Sequence, residues 1–77
     1  MNKARRQALQ TIINKIEELK TPLEILRDEE QDTLDNMPES IRDGERGERT
    51  ESSIQSIEDA LAMIDDVIEN ITEAISA

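Results

Sequence analysis

The clearest pattern in the chain runs from Ile54 to Ile75. Its large apolar residues are Ile54, Ile57, Leu61, Ile64, Ile68, Ile71 and Ile75, at gaps of 3, 4, 3, 4, 3 and 4. Three heptads of this kind keep one seam of a helix facing a partner helix. They predict a helix over about residues 50–76, with the Thr50 hydroxyl available as its cap. A second stripe lies near the start of the chain: Leu9, Ile12, Ile16, Leu19, Leu23 and Leu26, at gaps of 3, 4, 3, 4 and 3, with Ile13 beside it. It predicts a helix over about residues 3–35, capped by Asn2. The stripe then weakens. Glu30 takes the next a position, either where the seam ends or as a polar register device, and Leu34 and Met37 continue it imperfectly. Strand-like alternation is absent, so the fold class is all-α.

Two prolines punctuate the pattern. Inside a helix Pro22 removes a backbone hydrogen bond and clashes with the Glu18 carbonyl, at a cost of about 3 kcal/mol. Thr21-Pro22-Leu23-Glu24 also reads as a helix start, with Thr as N-cap, Pro in the first turn and Glu at the third position. The heptad phase is unbroken across Pro22, which favours a continuous, kinked helix over a break and restart. Asp35-Asn36-Met37-Pro38 closes the first helix, because the residue before proline is driven out of the α region. Residues 36–49 hold Pro38 and both glycines. They read as a loop with one helical turn at Pro38–Asp43, followed by a charged, mobile stretch over Glu45–Arg49.

Two long helices joined by such a loop imply an antiparallel hairpin. The charge layout agrees. Residues 1–20 carry +3, residues 21–49 carry −6 and residues 50–77 carry −7, for a net −10. In a hairpin the basic first stretch lies beside Asp65–Glu73, and each offsets the other's unfavourable position on its helix dipole. The hairpin alone is short of burial. The chain has 77 residues and no aromatic side chain, so its core is built from Ile and Leu. In the last helix the positions preceding the a residues are Ala60, Val67 and Ala74, small or apolar. Ile at both a and d favours more than two strands. The expected architecture is therefore a single domain that dimerises into a four-helix bundle.

Composition narrows the chemistry. Without Cys or His there is no disulfide, no zinc site and no Glu-x-x-His di-iron pair. The acidic run Arg27–Asp32 has no EF-hand spacing, and Gly44-Glu45-Arg46-Gly47 lacks the Lys-Ser or Lys-Thr of a phosphate loop. Neither a catalytic residue nor a cofactor, metal or small-molecule site is expected. Lys3-Ala4-Arg5-Arg6 offers three charges and no aromatics, so direct nucleic-acid binding is not expected. A membrane span and a signal peptide are not expected either, which with the lack of Cys points to the cytoplasm. The surface expected to meet a partner is acidic: Asp28, Glu29 and Asp32 on the first helix, with Glu58, Asp59, Asp65, Asp66, Glu69 and Glu73 on the last. Such a surface repels nucleic acid and anionic lipid and attracts basic proteins.

The order of elements also resembles a family. A basic first helix is followed by Arg27-Asp28-Glu29-Glu30-Gln31, by the joint Asp35-Asn36-Met37-Pro38-Glu39-Ser40, by Glu45-Arg46-Gly47-Glu48 and by an acidic heptad helix. This is similar to small acidic helical proteins of bacteriophages and prophages, mostly without assigned function. The resemblance implies a phage context, no known reaction, and family-specific function at the joint and loop. Together these features lead to the expectation of a non-enzymatic interaction protein that binds itself and a basic host or phage protein. It would be an inhibitor or adaptor that can mimic nucleic acid. The alternative is a structural or assembly spacer whose seam binds another chain's helices.

Overall fold

The structure, a computed structural model, describes residues 1–77. It is all-helical, with three helices: α1 (Lys3–Asp35), α2 (Glu39–Arg42) and α3 (Glu45–Ser76). The molecule is a rod, 59 × 16 × 11 Å.

α1 begins where the Asn2 side chain accepts a hydrogen bond from the Arg5 N–H at 2.8 Å, closing one of the open amides of the first turn. It continues through Pro22 without a break. Its last turn holds no base. A cation arrives there from outside, because the Arg42 guanidinium on α2 donates to the Asp35 carbonyl at 3.0 Å. The joint is tightened further by Asn36, whose side-chain amide donates to the Asp32 carbonyl at 2.8 Å.

α3 starts earlier than the apolar pattern indicates. Residues 45–49, expected as a mobile loop, form its first turn and a half, and the helix is entered from Gly44 rather than Thr50. Glu45 and Glu48 place negative charge at the positive end of the helix dipole. Glu45 also pairs with Arg49 one turn on, at 3.6 Å. The Thr50 hydroxyl caps nothing and donates instead to the Arg46 carbonyl at 3.0 Å. Gly47 is buried within this helix. A Cβ there would overlap the Arg42 carbonyl oxygen, so glycine is what lets α3 press against the end of α2.

α1 and α3 pack along the rod, and α2 packs on α3. Leu34 and Met37 are buried together with Ile54. Further along, the Lys20 ammonium meets the Asp65 carboxylate at 2.7 Å. Numbering on α3 therefore rises as numbering on α1 falls. From α1 into the joint, the residues turned from solvent include Leu9, Ile13, Ile16, Lys20, Leu23, Arg27, Glu30, Leu34 and Met37, an unbroken alternation of four and three, with half-buried Glu24 beside Leu23. The seam does not end at Glu30. It runs on to two of its best-buried members.

Candidate functional site

The sequence placed Ile12, Leu19 and Leu26 in the seam of α1 with Leu9, Ile16 and Leu23. The structure puts Leu9, Ile16 and Leu23 against α3 and leaves the other three on the flank, 46%, 63% and 53% exposed. Their place is taken by Ile13, Lys20 and Arg27, one residue later in each heptad. Lys20 and Arg27 are only partly exposed, as long charged side chains are when an apolar stem covers a seam and the charge stays in water. Lys20 reaches Asp65, and Arg27 reaches Asp28 at 3.1 Å. On α3 the seam is as the heptad predicts. Ile54 and Leu61 are buried, and Ile57, Ile64, Ile68, Ile71 and Ile75 are half-buried.

The rod therefore has two unlike flanks. One residue before each seam position lie Ile12, Leu19 and Leu26 on α1, and Ala60, Val67 and Ala74 on α3. Because the two helices run in opposite senses, these rows fall on the same side of the pair. Val67 is 45% exposed, and Met63, one turn before it and just outside the row, is 65% exposed. On the other side, one residue after a seam position, lie Glu17 and Glu24 on α1, and Glu51, Glu58 and Asp65 on α3. Asp59, Asp66 and Glu73 continue outward from them, again at heptad spacing. One flank of the rod is apolar and the other acidic.

All nine residues of the expected acidic surface are exposed: Asp28, Glu29, Asp32, Glu58, Asp59, Asp65, Asp66, Glu69 and Glu73. Of these only Asp65 and Asp28 form ion pairs. The expected neutralisation between the basic start of α1 and Asp65–Glu73 comes down to the single Lys20–Asp65 contact. Lys3, Arg5, Arg6 and Lys15 make no ion pair; in the register that sets Lys20 beside Asp65, Lys3, Arg5 and Arg6 lie beyond the end of α3. Lys20 titrates above its ordinary range. The hydrogen bond and charge of Asp65 hold its ammonium above the usual lysine value; partial desolvation opposes them, and Glu24 and Glu17 add lesser support.

The surface has one hollow, an open one at the start of α1 lined by Met1, Arg5, Ala8 and Leu9. No cluster of three or more acidic side chains is disposed to hold a metal ion. No helix is long and apolar enough to cross a membrane. No family model matches the chain, and neither a curated protein nor a solved structure matches it.

Proposed function

We propose that the chain is a non-enzymatic protein-interaction module. In this reading a helical hairpin dimerises into a four-helix bundle and presents an acidic flank to a basic partner protein. The observation that carries it is the composition of α3. From Thr50 onward that helix has seven acids and no base, and all seven lie away from both the seam and the apolar flank. A dimer carries twice the −10 of one chain. If both rods lie side by side over 59 Å, that is one net charge per roughly 3 Å. Duplex DNA carries one per about 1.7 Å. A rigid rod with about half the charge density of a duplex suits a basic groove made for nucleic acid. The proposed role is therefore that of an inhibitor or adaptor, in the phage setting that the sequence resembles, acting in the cytoplasm on a basic host or phage protein.

The test is capture of partners by the tagged protein from a bacterial lysate at about 50 and 500 mM salt, with a variant carrying Glu58→Gln, Asp59→Asn, Asp66→Asn and Glu69→Gln run alongside. The proposal expects a basic protein released by salt and lost with the variant. A partner held equally at both salts, or held by the variant, overturns it.

The exposed row Ile12, Leu19 and Leu26 favours a second reading. In it the protein is a spacer or assembly factor, and the row receives a helix of a different chain. Sedimentation separates the two. A stable dimer of the pure protein supports the first, and a monomer supports the second.

A further inference from the structure

We infer that two copies of this chain pack through their apolar flanks about a two-fold axis perpendicular to the rod, at the level of Leu19 and Val67, so that the two loop ends point in opposite directions. This rests on the dimeric bundle proposed above and specifies its arrangement.

The first argument is the placement of the two apolar rows. The row on α1 is Ile12, Leu19 and Leu26, and the row on α3 is Ala60, Val67 and Ala74. Each is centred on its middle member, and the contacts of Lys20 with Asp65 and of Leu34 with Ile54 set Leu19 level with Val67. Both rows are thus symmetric about one level of the rod. A two-fold axis there lays α1 against α1 and α3 against α3. Leu19 and Val67 each meet their own counterpart, Ile12 meets Leu26 of the second copy, and Ala60 meets Ala74. An isologous interface requires this self-complementarity.

The second argument is area. The chain exposes 5650 Å². A compact monomer of 8.8 kDa exposes about 4800 Å². The excess, about 850 Å², is close to the ~800 Å² that each partner contributes to a stable interface.

The third argument is charge, and it selects between the two ways of stacking the same faces. Divide the rod at the Lys20–Asp65 bridge. Residues 1–20 and 65–77 hold five bases and six acids, a net −1, while residues 21–64 hold four bases and thirteen acids, a net −9. Stacking with both loops at one end sets −9 against −9. The opposed arrangement sets −9 against −1 at both ends, which is the weaker repulsion. It also extends the α1 row from Ile12 to Arg5, which has no ion pair within the chain. Arg5 then falls opposite Thr33 of the second copy and within a turn of its exposed Glu29.

The native chain has no cysteine, so single cysteines report the arrangement cleanly. A spin label at Asp43→Cys, between α2 and α3, reads the distance between loop ends. Leu19 to Asn36 is about 25 Å of helix, so the opposed dimer gives about 50 Å or more between labels, and the loops-together dimer gives less than about 25 Å. In parallel, Val67→Cys is expected to form an interchain disulfide under mild oxidation. A dimer with a short label distance, or with no Val67→Cys cross-link, overturns the arrangement while leaving dimerisation and the acidic-flank reading intact. A monomer in sedimentation at about 100 µM overturns the arrangement and the bundle together.

Discussion

Leu19→Ala separates the seam within a chain from the proposed face between chains. Leu19 is 63% exposed in the single chain. Full burial of a leucine is worth about 1.5–3 kcal/mol, so roughly two-thirds of that, about 1–2 kcal/mol, is unmet in each copy. A two-fold interface collects it twice, about 2–4 kcal/mol, so truncation to alanine should raise the dimer Kd roughly 30- to 700-fold. Ile54→Ala is the matched control. Ile54 is 6% exposed and packs on Leu34 and Met37, so its loss costs about 2–5 kcal/mol of intrachain stability. The assay is sedimentation equilibrium, joined to thermal unfolding by circular dichroism at two protein concentrations about 30-fold apart. Leu19→Ala should weaken association and make the melting point fall more steeply on dilution. Ile54→Ala should lower the melting point by a similar amount at both concentrations. If Leu19→Ala leaves Kd within twofold, or shifts both melts equally as Ile54→Ala does, the apolar flank is not an interface.

Three further substitutions bear on the single chain. Pro22 lies inside a continuous α1, so Pro22→Ala should restore a backbone hydrogen bond and stabilise by about 2 kcal/mol in urea titration, the gain being trimmed by a looser unfolded chain. A null or destabilising result would mean that the helix restarts there. Gly47→Ala should destabilise by about 1–3 kcal/mol despite alanine's better helix propensity, because the added methyl collides with the Arg42 carbonyl; a more stable variant would show that α2 does not press on α3. The Lys20 ammonium is held above its ordinary range by Asp65, so the stability it adds is fully present below the unfolded lysine value and is lost as pH rises through the folded one. The urea midpoints of wild type and Lys20→Met should therefore differ at neutral pH and converge as pH rises beyond about 10.4. A difference that persists unchanged at high pH would show that the bridge contributes nothing.

Much of this fold is legible in residue spacing, and the part that is not has a specific cause. The α3 heptad from Ile54 to Ile75 can be satisfied by one seam only. α1 carries two overlapping stripes that share Leu9, Ile16 and Leu23. Hydropathy favours the stripe completed by Ile12, Leu19 and Leu26, because the other is completed by Ile13, Lys20 and Arg27. Tertiary contacts reverse the choice. Extended by one heptad, the row of Ile12 reaches Thr33, and the row of Ile13 reaches Leu34. Leu34 is buried against Ile54, and Lys20 finds Asp65 on the way. Reading the heptad backward from Leu34 and Met37 would have found the true seam. The early start of α3 was hidden by Gly47, which reads as a loop residue until Arg42 is known to lie against it. The Glu45–Arg49 spacing was the helical signal there.

The two stripes on α1 bear on function because they separate two demands. A two-helix seam needs one stripe, so a second stripe of Ile12, Leu19 and Leu26 held clear of it is surplus to the single chain. Acids that would face the proposed basic partner cannot share that second stripe, since a buried unpaired carboxylate is strongly penalised. They lie on the opposite flank, at Glu51, Glu58 and Asp65 and outward. The two faces respond to salt in opposite senses. Copies of net charge −10 repel one another, and screening favours their apolar contact, whereas attraction to a basic partner is screened away. Dimerisation is therefore part of partner recognition in this scheme, because it doubles the charge carried along a rod of unchanged length while covering the one face that would otherwise bind indiscriminately.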